Sequence, residues 1–378
     1  MIELDANTSN EAVCTIFEKV NTGGVPLTVF ELLVATYAGE GFRLLDDWLM
    51  QKEKMTLGSQ QLLKDIERES YLTAVLVVSQ LKADNRITCK RGDLLSMSKS
   101  DYLAHRETVT AGFIKAAKLL HREGIIVSRD IPYPTQLPAL AAVYSVLSDQ
   151  DASLDPVSTK LSRWLWCGIF GEQWSSGVDS RTARDVPQIL SWIKGGDEPE
   201  SVREALLTED RLLRISSRIS AAYKGISSLI YRSGARDFRS GDPITTQMIF
   251  DNNIDIHHIF PKAACDNLKI SKLQRECIIN KTPIDAFTNR SIGGHPPSKY
   301  LKNLEENPRH NIPRERLNEI LMSHNIDIDS IRSDNFNEFF NKRKEHFIGL
   351  IEGLMGKKVI RAAKEEIESI SDEEIEED

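Results

Sequence analysis

Helical periodicity runs from about residue 42 to residue 233 and is the feature that most restricts the fold of this 378-residue chain. Apolar residues recur there every three to four positions, as they do on the buried face of an amphipathic helix. The pattern predicts a mainly α fold with a helical middle domain over residues 41–235. Breaks containing Gly, Pro or Asp separate the predicted helices, near residues 42–53, 58–83, 98–123, 136–149, 156–171, 179–194, 198–208 and 211–232.

Composition indicates an ordinary soluble globular protein, with 40% apolar and 28% charged residues. No apolar run approaches the roughly 20 residues that span a bilayer, so we expect no membrane partner. The acidic, polar N-terminus is unlike a signal peptide. The five cysteines form no CxxC pair or regular framework, which favours reduced thiols and a cytoplasmic location. The aromatic segment "RWLWCGIFGEQWSS" is typical of a helical core, with base stacking as the alternative.

The sequence pattern of the first 40 residues predicts too few elements to form a domain. Residues 1–5 alternate apolar and acidic side chains, as in a short strand, and two helices follow. Thr28 and Glu31 are spaced as a capping box for the second helix, which we expect to end near Gly39. One strand and two helices cannot bury a sheet, so residues 1–40 are predicted to be the end of an α/β domain.

Charge is distributed unevenly along the chain. The formal net charge is −8, but residues 365–378 hold nine acidic and no basic residues, and the rest carries +1. This acidic tail is predicted to be disordered. Between residues 257 and 302 there are eight Lys or Arg against three acidic residues. Such a segment is suited to contact phosphates, although a solvated basic face is the simpler interpretation.

Two adjacent histidines, His257 and His258, lie in "IDIHHIFPK". The doublet is either a chance pair in a loop or half of a metal-dependent site. Alternating apolar residues predict a strand here, and neighbours on a strand point to opposite faces. One histidine can therefore face a metal while the other faces a water molecule. This arrangement suits phosphodiester hydrolysis, in which a divalent cation stabilises charge on the phosphate and a neutral imidazole takes a proton from the attacking water.

The segment "HHIFPK", with a later Asn, then "TN" and "SIGGHPPSKYL", resembles the HNH, or ββα-metal, nuclease motif. The resemblance implies a small ββα-metal module over residues 236–305 that uses Mg²⁺ or Mn²⁺. His257 and Asn289 would bind the metal, His258 would be the general base, and Asn280 would tether the loop. His295 is expected at the surface or beside the substrate rather than as a ligand. The resemblance also suggests phosphate contacts, at Lys262, Arg290 and Lys299.

Two further segments resemble GmrSD-type restriction proteins, namely "IFEKVNTGGVPLTVFELL" and "WLWCGIFGEQWSSGVDSRTARDVPQIL". That family joins a ParB/sulfiredoxin-like nucleotide domain, a helical middle and a C-terminal HNH nuclease, and restricts modified foreign DNA. The early Asp-Gly-Gln-Arg-like motif of the nucleotide domain does not occur in this sequence. Residues 1–40 are therefore expected to be the remnant of a truncated domain, or part of a split system whose separate nucleotide-binding subunit supplies the rest.

The sequence thus predicts an HNH endonuclease of a modification-dependent anti-phage system that acts on double-stranded DNA. C-terminal helices are expected over residues 306–364. Each active site would cut one strand, so a double-strand break would need a homodimer or successive nicks. One alternative is a catalytically silent DNA-binding or interaction protein that docks a separate nucleotide-binding subunit. A structural zinc site is a third interpretation, but two ligands other than cysteine make a poor zinc site.

Overall fold

The computed structural model describes residues 27–362 apart from residues 60, 252 and 309, and this part of the chain is mainly α-helical. The predicted mainly α class is confirmed. The strand and first helix predicted before residue 27, and the acidic tail over residues 365–378, lie outside the described residues.

The helices are numbered in chain order. Those before residue 251 are α1 Val29–Gly39, α2 Leu44–Gly58, α3 Arg68–Lys82, α4 Arg91–Leu95, α5 Lys99–Arg122, α6 Leu137–Val146, α7 Asp149–Ala152, α8 Asp155–Phe170, α9 Val178–Ile193, α10 Glu200–Glu204, α11 Glu209–Leu213, α12 Ala221–Arg232 and α13 Thr246–Phe250. Those after it are α14 Lys262–Asn267, α15 Lys272–Glu276, α16 Ala286–Ile292, α17 Pro297–Glu306, α18 Arg314–Ser323, α19 Ile328–Arg332 and α20 Phe336–Met355.

Two sequence-predicted helices begin later than their periodicity indicates. The helix predicted over residues 58–83 starts at Arg68, because α2 ends at Gly58 and the chain turns through Gln61, whose φ is 72°. Leu62 and Leu63 are buried by this turn rather than by a helix. The helix predicted over residues 211–232 is α12, which starts at Ala221 after an N-cap at Ser220.

The described chain divides into two compact units, of which the first comprises residues 27–119, 133–161 and 174–203. Helix α1 has the predicted capping box: the Thr28 hydroxyl accepts from the Glu31 amide, and the Glu31 carboxylate accepts from the Thr28 amide. An aromatic cluster forms part of the core of this unit, with ring centroids 5.2 Å apart for Trp48 and Tyr71 and 6.0 Å apart for Tyr71 and Phe113.

The second unit comprises residues 120–132, 162–173 and 204–362. Glu123 is buried and its Oε2 accepts hydrogen bonds of 2.8 Å from the Trp166 indole and from Arg232. These two hydrogen bonds offset the free-energy cost of burying the carboxylate. The predicted core role of the aromatic segment is confirmed, since Trp164, Trp166 and Phe170, in this unit, and Trp174, in the first, are all buried.

A strand–strand–helix element lies within the second unit. Strand β1, Ile254–His258, pairs antiparallel with β2, Lys281–Asp285, and α16 follows β2 directly. The register sets His257 opposite Thr282 and His258 opposite Lys281. None of the described helices combines the length and the apolar composition that spanning a bilayer requires.

The last helix, α20, packs against this element. Phe260, two residues beyond β1, has its ring centroid 5.0 Å from that of Phe339. Arg343 is buried and donates to the backbone carbonyls of Ile279 and Lys281, just before and within β2. No carboxylate pairs with Arg343 in the described part of the chain, and burial lowers its pKa to about 9. Helix α20 therefore supports the backbone at the start of β2.

Candidate active site

The two histidines of β1 lie in different environments, as alternation along a strand requires. His257 is 3% exposed, whereas the side chain of His258 is 27% exposed. The ring of His257 packs edge-to-face against Phe238 and Tyr300, with centroid distances of 6.0 and 5.8 Å. His257 therefore faces the interior of the unit, while His258 is accessible to water.

Asn289, in α16, lies against His257. The Asn289 Oδ1 is 2.9 Å from Nδ1 of His257, and the Asn289 Nδ2 donates to Oδ2 of Asp255 at 3.3 Å. A carboxylate only accepts hydrogen bonds, so the amide nitrogen must face Asp255 and the amide oxygen must face His257. Strand β1 and helix α16 thus bring together an imidazole, an amide and a carboxylate.

Asp255 is a site residue that sequence reasoning missed. It lies two positions before His257, so both side chains are on the same face of β1. The period of two along the predicted strand was the signal that could have identified it.

His257 is neutral at pH 7. Its pKa is lowered to about 4, mainly by burial and also by the charge of His258, while the hydrogen bond to Asn289 acts in the opposite direction. Since Nδ1 donates to Asn289, the neutral ring carries its lone pair on Nε2. This Nε2 is buried and has no hydrogen-bond partner among the described residues. A buried water is the kind of group that satisfies such a nitrogen.

The residues present fit a divalent cation. Within the described chain no group of three or more His, Cys, Asp or Glu side chains is placed to hold a metal ion, but the group at His257 includes an amide oxygen. Neutral imidazole, carboxylate and amide oxygen are all ligands that Mn²⁺ accepts, and the two oxygen donors also suit Mg²⁺. His257, Asp255 and Asn289 could therefore hold such an ion once the proton of His257 moves from Nδ1 to Nε2, because Nδ1 is the nitrogen that faces Asn289. Asp255 was not among the predicted ligands.

The start of α16 is anchored by two carboxylates. The N-cap residue Asp285 accepts from the amides of Phe287 and Thr288, and Asp237 accepts from the Asp285 amide at 2.9 Å. The other oxygen of Asp237 accepts from the Thr288 hydroxyl at 2.9 Å. Asn289 follows Thr288 directly, so these bonds set the position of its amide. Asp237 was another residue that the motif did not indicate.

Asn280 is fully buried between β1 and β2. Its Oδ1 accepts from the Phe260 amide at 2.9 Å, and its Nδ2 donates to the carbonyls of Phe260 and Arg275 at 3.0 and 3.1 Å. Both ends of the connection between the two strands are therefore attached to one side chain. Tyr300 adds a hydrogen bond to the Ile259 carbonyl at 3.0 Å.

His258 contacts a residue that the sequence did not indicate. Its Nε2 lies 3.0 Å from Oε2 of Glu276, the last residue of α15. Glu276 also pairs with Arg275 at 3.0 Å and with Lys281 at 3.4 Å. No periodic pattern connects positions 258 and 276, so only folding of the intervening chain could reveal the contact.

The cations proposed to contact phosphate are all on the surface. Lys262, Arg290 and Lys299 are exposed, and none has an ion-pair partner among the residues that the structure describes. Arg290 follows Asn289 in α16, while Lys262 and Lys299 belong to α14 and α17. His295 is also exposed, in the turn before α17.

Helix α16 also presents an exposed aromatic ring. Phe287 is 54% exposed, and the guanidinium of Arg239 lies over its face, 4.5 Å from the ring centroid. Among the described residues, Arg239 has no carboxylate partner, and its buried Nε has no hydrogen-bond partner. A guanidinium held in this way is preorganised to bind an anion. Phe287 is two residues from Asn289, so its ring lies on the helix that carries the proposed metal ligand.

Comparison with known proteins identifies one distant relative. No family model matches the chain. An uncharacterised protein of Methanocaldococcus jannaschii, MJ0686, is 26% identical over 387 residues. The similarity covers 95% of this chain and 63% of that protein, so the chain spans less than two thirds of the length of the curated relative it matches. The name of that protein states no activity, so a function for this chain has to be inferred from its own side chains.

Proposed function

We propose that this protein is a divalent-metal-dependent endonuclease of the HNH, or ββα-metal, type that hydrolyses phosphodiester bonds in DNA. The observation that carries the proposal is the 2.9 Å contact between Nδ1 of His257 and Oδ1 of Asn289. These two residues are 32 positions apart, and the motif assigns both to the metal. Their meeting across β1 and α16 is the geometry that a ββα-metal site requires.

His257, Asn289 and Asp255 would hold the Mg²⁺ or Mn²⁺ ion. When bound, the metal would stabilise negative charge on the scissile phosphate and on the leaving oxygen. A metal ligand must be an unprotonated imidazole, and the buried position of His257 keeps it neutral at physiological pH. Asp255 contributes the negative charge that attracts a cation to the site.

His258 would act as the general base. Its side chain is accessible to water and points to the face of β1 opposite that of His257. It can therefore take a proton from a water molecule without competing for the metal. A positioned base of this kind contributes about 10²- to 10⁴-fold to a hydrolysis rate.

The exposed cations would bind the substrate backbone. Lys262, Arg290 and Lys299 are candidates for phosphate contacts, and the Arg239–Phe287 pair adds a preorganised guanidinium beside an exposed aromatic ring. Arginine and lysine supply most of the sequence-independent affinity for DNA. An exposed ring can also pack against the sugar or base edges of a bound strand.

A restriction role for a longer system is part of the proposal. The resemblance to GmrSD-type proteins suggests modification-dependent anti-phage restriction, with nucleotide binding supplied by a separate subunit. Cleavage of both strands of double-stranded DNA would use a homodimer or two successive nicks. These assignments rest on the sequence resemblance alone, whereas the nuclease chemistry also has the geometry of His257, His258, Asn280 and Asn289 in its support.

A plasmid-nicking assay tests the nuclease proposal. Supercoiled plasmid is incubated with the protein and Mg²⁺ or Mn²⁺, in parallel with His258→Ala and a control, His346→Ala. We expect metal-dependent nicking that His258→Ala lowers about 10²- to 10⁴-fold and that substitution of the exposed His346 leaves unchanged. Absence of nicking, or equal nicking by His258→Ala, would refute the enzyme assignment. Retained DNA binding in that case would favour the catalytically silent alternative.

A further inference from the structure

The contact between His258 and Glu276 has the geometry of a carboxylate that orients an imidazole. Nε2 of His258 lies 3.0 Å from Oε2 of Glu276. The carboxylate is itself held on two sides, by Nε of Arg275 at 3.0 Å and by Nζ of Lys281 at 3.4 Å. Lys281 is the partner of His258 in the ladder between β1 and β2, and its side chain is 6% exposed. Glu276 is therefore fixed beside the proposed base.

Glu276 is ionised in the folded protein. Its pKa lies well below the usual range. The hydrogen bond with His258 is the largest cause, and the charge of Lys281 and the hydrogen bond with Arg275, which do not depend on a charged His258, act in the same direction. An ionised carboxylate can only accept hydrogen bonds, so the imidazole nitrogen that contacts it must carry a proton. A neutral imidazole has one N–H, which leaves the lone pair of His258 on Nδ1.

We propose that Glu276 is a positioning residue that holds His258 in its Nε2–H tautomer and thereby makes Nδ1 the nitrogen that takes the proton from water. The role of Nδ1 rests on the proposed nuclease function, whereas the tautomer does not. As Nδ1 accepts a proton, His258 becomes an imidazolium, and the adjacent carboxylate stabilises that charge. A carboxylate has the same two effects in the Ser-His-Asp arrangement, where it orients the imidazole and stabilises its charged form.

The chain offers a matched control for the charges around Glu276. Asp266 pairs with the same Arg275, through Nη1 at 2.8 Å, but has no described contact with His258. Asp266→Asn therefore removes one carboxylate from the Arg275 cluster and leaves the histidine pair intact. Glu276→Ala removes the carboxylate that contacts His258. Glu276→Gln removes the charge and keeps an oxygen that can accept from Nε2.

The tautomer is measured by long-range ¹H–¹⁵N NMR on the full chain labelled with ¹⁵N-histidine, without metal or DNA, at pH 8. The spectrum of His258→Gln assigns the His258 signals. We expect a protonated Nε2 and an unprotonated Nδ1 in the wild type, in Asp266→Asn and in Glu276→Gln. In Glu276→Ala the two nitrogens should shift towards the averaged values of exchanging tautomers. A protonated Nδ1 in the wild type, or unchanged signals in Glu276→Ala, would overturn the proposal.

Nicking kinetics test the consequence for the base. We expect Glu276→Ala to lower kcat by about 10- to 100-fold, as loss of an orienting partner commonly does, with KM changed less than about twofold and a smaller loss for Glu276→Gln. Asp266→Asn should match the wild type, and thermal melting of each variant checks its folding. A changed tautomer with an unchanged kcat would overturn the role of Nδ1. Absence of nicking by the wild type would instead refute the proposed function and leave the NMR result standing.

Discussion

Substitution of Asn280 by Asp or Ala tests whether one buried amide holds the connection between the two strands. Asn280→Ala removes the acceptor of the Phe260 amide and the donor to the carbonyls of Phe260 and Arg275. Asn280→Asp keeps the shape of the side chain and the bond to the Phe260 amide. It also turns a carboxylate oxygen towards the two carbonyls in place of an N–H group.

The expected cost follows from the groups left without partners. Both Phe260 groups are bonded to Asn280 in a buried environment. An orphaned buried backbone group costs about 1–3 kcal/mol, so Asn280→Ala should weaken the local structure by about 3 kcal/mol. A loss of that size corresponds to roughly a hundredfold increase in the opening equilibrium, since 1.4 kcal/mol is a factor of ten.

Hydrogen exchange with mass spectrometry measures this effect on peptides that cover residues 254–270. We expect the Phe260 amide to exchange roughly a hundredfold faster in Asn280→Ala, while peptides of the first unit remain unchanged. For Asn280→Asp the repulsion raises the pKa of the new carboxyl in the folded state. Its destabilisation should therefore be larger at pH 8, where the group is ionised, than at pH 5. Exchange protection within threefold of the wild type in both variants would refute the proposed tether.

Three further predictions concern acid stability, metal binding and DNA binding. Burial lowers the pKa of His324 to about 3. As the pH falls below about 6.5, the unfolded state is therefore protonated at this residue before the folded state is. The free energy of unfolding should then fall by about 1.4 kcal/mol for each pH unit, down to about pH 3. His324→Gln should therefore flatten the decline of thermal stability between pH 6.5 and 4.5, and an unchanged slope would contradict this. Asp255→Asn should weaken Mn²⁺ binding about 10- to 100-fold in calorimetric titrations, whereas unaltered affinity would exclude Asp255 from the site. Arg239→Gln should reduce the slope of log K against log salt for DNA by about 1, an effect that Arg316→Gln, whose native guanidinium is paired with Glu319, should not reproduce.

Local sequence signals predicted most helices because those signals act within one or two turns. The capping box of Thr28 and Glu31, and the apolar stripe of α5, need no distant residue to operate. Prediction failed at the start of α12, where the backbone carbonyl of Ile215 accepts a hydrogen bond of 2.8 Å from the amide of Ile278. A contact over 63 positions holds that segment out of a helix, and no local pattern records it.

The sequence by itself determined the strand that carries His257 and His258 and their opposite orientations, because a period of two follows from the strand backbone alone. It also supplied the spacing by which Asn280 and Asn289 resemble the HNH motif. Only the tertiary structure decided which groups surround the two rings: Asp255 and Asn289 beside one, Glu276 beside the other. One ring is buried and the other contacts a carboxylate, so two identical side chains are chemically different groups. These environments depend on folding, because Asn289 is 32 positions from His257 and Glu276 is 18 positions from His258 in the sequence.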